Sequence, residues 1–268
     1  MSLLPIVRIT EFLEDTLTGG TTRPMLVIGE DGNKYVLKIF SKKDASQRSY
    51  TVAEVIANLL AKEFDLFVPN AVYMTVDTQL IQILEHQQPN IFDKLKEKEV
   101  GSIQFGSIYQ DGVPLYSPAK NKINLDLIEL ETILAFDILI ANHDRRLSKP
   151  NILFGPDRFI LIDHEKSFEG LTKQFTDVQN GIVPYFFKEH LFFKQIHKTS
   201  VKNIHHVPFE TFEEYFRNLS FERLKLNINF LIQHGYNEEE CLNWLEYLQN
   251  QKENCRNFVT LLRKKIRE

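Results

Sequence analysis

Between Leu125 and Ala141 the chain places Leu127, Ile128, Leu130, Ile133, Leu134, Phe136, Ile138, Leu139 and Ile140, more apolar positions than one helical face can hold. A helix apolar on most sides has to lie inside a core. Whatever this chain folds into is therefore built around that segment. The run passes abruptly into Asn142-His143-Asp144-Arg145-Arg146, so a buried element delivers a polar cluster into a loop.

The rest of the pattern sets that helix in the second half of a mixed fold. Met25–Ile28 and Tyr35–Phe40 flank the turn Glu30-Asp31-Gly32-Asn33, which predicts a hairpin. Val52, Val55, Ile56, Leu59 and Leu60 recur at helical spacing within 45–64. Ala71–Val76 and Leu80–Leu84 read as further strands, and Gln87–Gly112 reads as a crossover between two halves. Asn151–Phe154 and Phe159–Asp163, joined by Gly155-Pro156-Asp157, predict a second tight hairpin. Beyond residue 186 the chain reads as helical, with segments near 208–218, 219–233 and 237–265. The expectation is an α+β chain of two lobes, a small antiparallel-sheet N-lobe over 1–112 and a mainly helical C-lobe over 113–268.

Composition narrows the function classes. Lys plus Arg is 32 against 36 for Asp plus Glu in 268 residues, a formal charge of −4. That balance provides no global pull on nucleic acid or anionic lipid. No stretch approaches the about 18 consecutive apolar residues that a membrane span needs. The opening Met-Ser-Leu-Leu-Pro lacks a basic region and does not read as a secretory signal. Cys241 and Cys255 make neither a metal nor a disulfide framework, and a reducing, cytoplasmic setting is expected.

Four polar features stand where packing alone would want apolar groups. Lys38 shares a strand face with Val36 and Phe40, so its ammonium must reach water, pair with an anion or contact a ligand. Asp163 ends an apolar strand, a place for a turn former or for a rigidly held metal ligand. Asp144 lies in the loop after the buried helix, and Asn151 opens the following strand. Phosphoryl transfer needs a carboxylate to orient the attacking hydroxyl, and amide or carboxylate oxygens for Mg²⁺. Gly19-Gly20-Thr21-Thr22 is either a plain turn or a loop whose N–H groups approach an anion. The order of these parts is more informative than any one of them.

In that order the chain resembles the HipA-like kinases, within the wider protein kinase-like and phosphoinositide kinase-like fold group. The resemblance is carried by Gly19–Pro24, Tyr35–Lys38, Ala53–Lys62, Val68-Pro69, Gly101 and Phe105-Gly106-Ser107. It is strongest in Phe136–Arg145, Lys149–Leu153 and Leu161–Phe168. It implies a two-lobed protein kinase-like fold using ATP and Mg²⁺. By that likeness, Lys38 and Gly19, Gly20, Thr21 and Thr22 hold the nucleotide phosphates and Glu54 pairs with the lysine. Asp144 is the catalytic-loop aspartate, and Asn151 and Asp163 hold the metal. Two departures accompany it. The usual loop has its Asn five residues after the Asp, where this chain has Lys149, and Asp163 is followed by His164-Glu165 in place of Phe-Gly. Glu54 falls nearly opposite the Val52/Val55/Ile56/Leu59 stripe, which leaves a solvated glutamate and a lysine partner both open.

The leading expectation is an ATP- and Mg²⁺-dependent kinase acting on an unidentified acceptor, a protein Ser/Thr hydroxyl or a small molecule. The alternative is a pseudokinase that serves as a nucleotide-binding or protein-interaction module without turnover. His205-His206 are consecutive and do not share a helix face, so a zinc site is not expected there.

Overall fold

The computed structural model describes residues 2–16, 24–41, 44, 47–97, 103–117, 127–155 and 158–268. The chain forms two compact units. One comprises Met1–Asn58, Pro69–Gly112 and Glu222–Cys241, and the other Leu59–Val68, Val113–Phe221 and Leu242–Glu268.

The first unit is organised by β1 (Ile6–Thr16), β2 (Met25–Gly29), β3 (Lys34–Lys38), β4 (Ala71–Thr75) and β5 (Gln104–Ile108). The sheet is small and N-terminal, as its sequence implies, but it closes into a barrel in the order β1-β2-β3-β5-β4. Nor is it wholly antiparallel, because Ile6 and Val7 of β1 pair in parallel with Tyr73 and Met74 of β4. The cause lies in β1. Its register against β2 shifts between Ile9 and Glu11 and again between Phe12 and Thr16. Such bulges bend a strand and increase its twist. One long strand therefore serves both neighbours and no edge is left open.

Two sequence expectations in this unit are corrected. Leu80–Leu84 is no strand but part of α2 (Thr78–Gln87), after α1 (Tyr50–Glu63). Asp77 caps it by accepting the Leu80 N–H at 2.7 Å, and Leu80 and Leu84, one helical turn apart, join the barrel core. A short apolar run does not by itself separate strand from helix. The span 87–112 is likewise more than a connection. It holds α3 (Pro89–Glu97) and then β5, which enters the barrel between β3 and β4. The unit also takes in a helix from far along the chain. In the segment Glu222–Gln233, Asn227 Oδ1 accepts the Leu4 N–H at 3.0 Å and the Tyr73 hydroxyl at 3.1 Å.

The second unit is built on α4 (Leu127–Leu139), in which every residue from Leu130 to Leu139 is buried. After it come β6 (Ile152–Phe154), β7 (Phe159–Leu161), α5 (Leu171–Gln179), α6 (Phe193–Lys202) and α7 (Glu210–Asn218). The helix at Glu222–Gln233 is α8, and the expected last segment is two helices, α9 (Glu238–Glu253) and α10 (Cys255–Lys265). Aromatic rings fill the interior. Phe64 stacks on Phe212 at 4.8 Å and meets Phe136 at 5.7 Å, with Phe258 beside Phe212 at 6.1 Å. The β6–β7 hairpin is held from outside by the Leu161 N–H, which donates to the Phe67 carbonyl at 2.8 Å. Among the described residues no helix is long and apolar enough to cross a membrane.

Candidate active site

At the end of α4 the chain turns sharply. Ala141 adopts φ 54°, and three more residues nearby in the second unit, Asn151 at 51°, Asp163 at 64° and Phe168 at 70°, are also left-handed. Side chains other than glycine resist this region, at about 1–3 kcal/mol each. The surrounding contacts must over-determine these positions. One of them is the Phe168 N–H, which donates to the Ile140 carbonyl at 2.7 Å.

Asp137, one helical turn before the corner, is the hub of these contacts. Its carboxylate accepts from Arg145 Nε at 2.6 Å, Asn142 Nδ2 at 2.8 Å and His190 Nε2 at 3.0 Å, all buried. Burial alone would raise its pKa, but Arg145 and His190 outweigh that and bring it down to about 2. His190 is lowered, chiefly by burial, with Asp137 opposing. Its Nδ1 accepts the Phe192 N–H at 3.2 Å, so in the neutral ring Nε2 carries the proton that Asp137 receives. The Arg145 guanidinium continues outward, donating to the Asn151 carbonyl at 2.5 Å and meeting His164 Nε2 at 3.1 Å. One buried cation thus ties α4, the loop and the hairpin together. Sequence patterning offers no sign of this, because Asp137 is hidden within an apolar run.

Asp144 is buried, and its backbone N–H donates to Asn142 Oδ1 at 3.2 Å. Its carboxylate faces two cations, Lys149 Nζ at 2.5 Å and Arg146 Nη2 at 3.6 Å. Lys149 also lies 3.1 Å from Asp163 Oδ2, so a single ammonium bridges the loop aspartate and the aspartate that follows β7. Burial depresses the Lys149 pKa, but the attraction of Asp163 and Asp144 more than offsets this and the net shift is upward. The longer spacing from Asp144 to Asn151 has a local explanation. Arg146 and Lys149 exchange both backbone hydrogen bonds, at 3.1 and 3.0 Å, closing a tight turn over Leu147 and Ser148. That turn takes up the added chain. Asn151 then stands beside the end of β7, where its carbonyl accepts the Ile162 N–H at 3.1 Å.

The donors here suit a hard divalent cation. Asp163 keeps 17% of its side chain exposed, and a carboxylate oxygen of Glu165, itself buried, lies within 4.8 Å of one of Asp163. Among the described residues, the Asn151 side-chain nitrogen is buried without a hydrogen-bond partner. Such an orphan at a polar site asks for a ligand or a water, and a carboxamide turned through 180° presents oxygen in place of nitrogen. Carboxylate and amide oxygens are the donors that Mg²⁺ takes. Glu165 went unread in the sequence, where it looks like one more turn residue after Asp163.

In the first unit, Lys38 Nζ pairs with Glu54 Oε1, with 10% and 3% of their side chains exposed. Glu54 reaches the lysine because α1 has no solvent face: Val52 through Ala61 are all buried. The face opposite its apolar stripe is therefore also interior. Lys38 ends a strand flanked on both sides, by β2 and by β5, and is no edge residue. Gly19, Gly20, Thr21 and Thr22 lie outside the described residues. His206 is engaged by a carboxylate, Glu131 Oε1, at 2.5 Å.

A family model described as HipA-like kinase matches residues 9–252 of this chain. The chain belongs to the HipA-like kinase family. It is a kinase. Among solved structures, it is similar to the Helicobacter pylori proinflammatory kinase CtkA, with a TM-score of 0.55 and 9% identity over 96% of this chain and 95% of that one. At that identity the likeness speaks for the fold, which is a kinase fold. The Golgi casein kinase is similar at a TM-score of 0.43 and 13% identity, covering 98% of this chain and 72% of that one. No curated protein matches the kinase in sequence.

Proposed function

We propose that this kinase binds ATP together with Mg²⁺ and transfers the γ-phosphoryl group to a hydroxyl of a protein Ser/Thr side chain or a small molecule. The observation that carries the reading is the placement of Asp144 and Asp163 on either side of one ammonium, at 2.5 and 3.1 Å. Two carboxylates from separate elements lie beside a single cationic position, which supports a loop aspartate and a metal-holding aspartate acting at one site.

Asp163 and Asn151 hold the metal in this reading, which supplies charge neutralisation at the phosphates. Lys38, fixed by Glu54, holds the nucleotide phosphates, with Gly19, Gly20, Thr21 and Thr22 contributing N–H and hydroxyl donors. Asp144 orients the acceptor. Its carboxylate takes the hydroxyl proton as the new O–P bond forms and the bond to the β-phosphate breaks, releasing ADP. Orientation accounts for much of the rate, and the buried Asp137–Arg145 pair keeps the loop in one geometry.

The test is incubation with γ-labelled ATP and Mg²⁺, following label on the chain, on added protein and as free phosphate. Transfer or hydrolysis that disappears in Asp144→Asn supports the reading. Stabilisation by ATP with no released product would support the pseudokinase alternative.

A further inference from the structure

Lys149 occupies the place in the loop where an asparagine is usual, and its side chain touches both aspartates. Its ammonium is 2.5 Å from Asp144 and 3.1 Å from Asp163, with 33% of the side chain exposed. Its backbone is anchored in the tight turn with Arg146, so the head can swing on its stem without disturbing the loop. Asp144 faces Lys149 and Arg146, and Asp163 faces Lys149 with a Glu165 oxygen within 4.8 Å of its own. Carboxylates held this close and largely out of water need a counter-charge in every state they pass through.

We propose that Lys149 is a resident counter-cation, which neutralises Asp144 and Asp163 in the ligand-free kinase and must give up Asp163 when a divalent cation binds there. This rests on the reading of Asp163 as a metal ligand. The argument is electrostatic. An ammonium in contact with a carboxylate and a dication bound to the same carboxylate repel strongly at such range. Lys149 therefore competes with the metal for Asp163 while continuing to hold Asp144. The ammonium released from Asp163 stays beside Asp144, a cation close to the transferring phosphoryl group, whose oxygens carry the negative charge of the transition state. Its presence weakens metal binding in the empty site and favours turnover in the loaded one. A lysine that merely braced the loop would not produce these opposed effects.

Titration calorimetry with MnCl₂ and no nucleotide tests this on the full chain and on Lys149→Met, Lys149→Arg and Asp163→Asn. Lys149→Met removes the charge at similar volume and is expected to bind Mn²⁺ about ten-fold more tightly, a 1.4 kcal/mol change. Lys149→Arg, which keeps the charge, is expected to stay near the unaltered protein. The same Lys149→Met chain is expected to lose at least ten-fold in kcat while needing less metal. Equal or weaker Mn²⁺ binding in Lys149→Met overturns the inference but leaves Asp163 as a ligand, provided Asp163→Asn abolishes binding. Mn²⁺ binding that survives Asp163→Asn unchanged overturns both. Acetylation of Lys149 in the unaltered chain, read by mass spectrometry, needs no variant. MnCl₂ should speed it several-fold, and an unchanged rate overturns the proposal.

Discussion

Arg145 Nε and Asp137 Oδ2 meet at 2.6 Å with neither side chain exposed to solvent. The pair joins the helix that fills the core of the second unit to the loop bearing Asp144, and through the Asn151 carbonyl to the strand that follows. Removing one partner of such a pair strands the other charge in the interior. Asp137→Asn is expected to destabilise the protein by about 3–5 kcal/mol. The check is a urea titration, in which the midpoint should fall with little change in slope. A shift under about 1 kcal/mol would mean that Arg145 finds other compensation.

The pair between Lys38 and Glu54 predicts a functional loss more than a structural one. In the proposed reading Glu54→Gln removes a carboxylate that fixes the Lys38 ammonium, and with it the hold on the nucleotide phosphates. The KM for ATP is expected to rise about ten-fold, and Lys38→Met is expected to lower kcat/KM by about 10². Steady-state kinetics at varied ATP checks both.

Acid should weaken the fold in two stages. Burial lowers His190 below its ordinary 6.5, so the unfolded chain takes up this proton first. The contribution of His190 is complete above about pH 6.5 and declines as pH falls below it. Asp137, lowered from 3.8 to about 2, adds a second loss as pH falls through the window between those values. Unfolding free energies measured from pH 7.5 to 2 should fall in both windows, and His190→Gln should flatten the slope between pH 7 and 5.

Gly29 ends β2, opposite Ile9 of β1. A Cβ there would come within 2.5 Å of Val7 Cγ1 and 2.8 Å of the Tyr35 ring. Gly29→Ala is expected to cost about 1–3 kcal/mol through overpacking. A thermal melt checks this, and an unchanged Tm would show that the barrel wall yields.

Much of this was legible because it is local. The hairpin of β2 and β3, the helix around Val55 and the buried helix before Asp144 each follow from spacing and turn residues in one stretch of chain. What was not legible depends on partners far apart in sequence. Asp137 reads as a blemish in an apolar helix until His190 and Arg145 are placed around it. Leu80–Leu84 was misread because five apolar-rich positions suit either periodicity, although Asp77-Thr78 just before them is a helix-capping signal. The barrel closure depends on bulges in β1 and on a parallel pairing with β4, and neither leaves a mark on alternation. Lys149 was visible as a departure from the usual loop, but its contact with both aspartates is a property of the folded turn.

The most direct measurement is transfer of label from γ-labelled ATP in the presence of Mg²⁺, compared between the unaltered kinase, Asp144→Asn and Asp163→Asn, with folding confirmed for each by circular dichroism. The account predicts turnover in the first, a loss of about 10²–10⁴ in rate in both variants, and abolition by a chelator. Full activity in either folded variant, or turnover indifferent to the chelator, would contradict it.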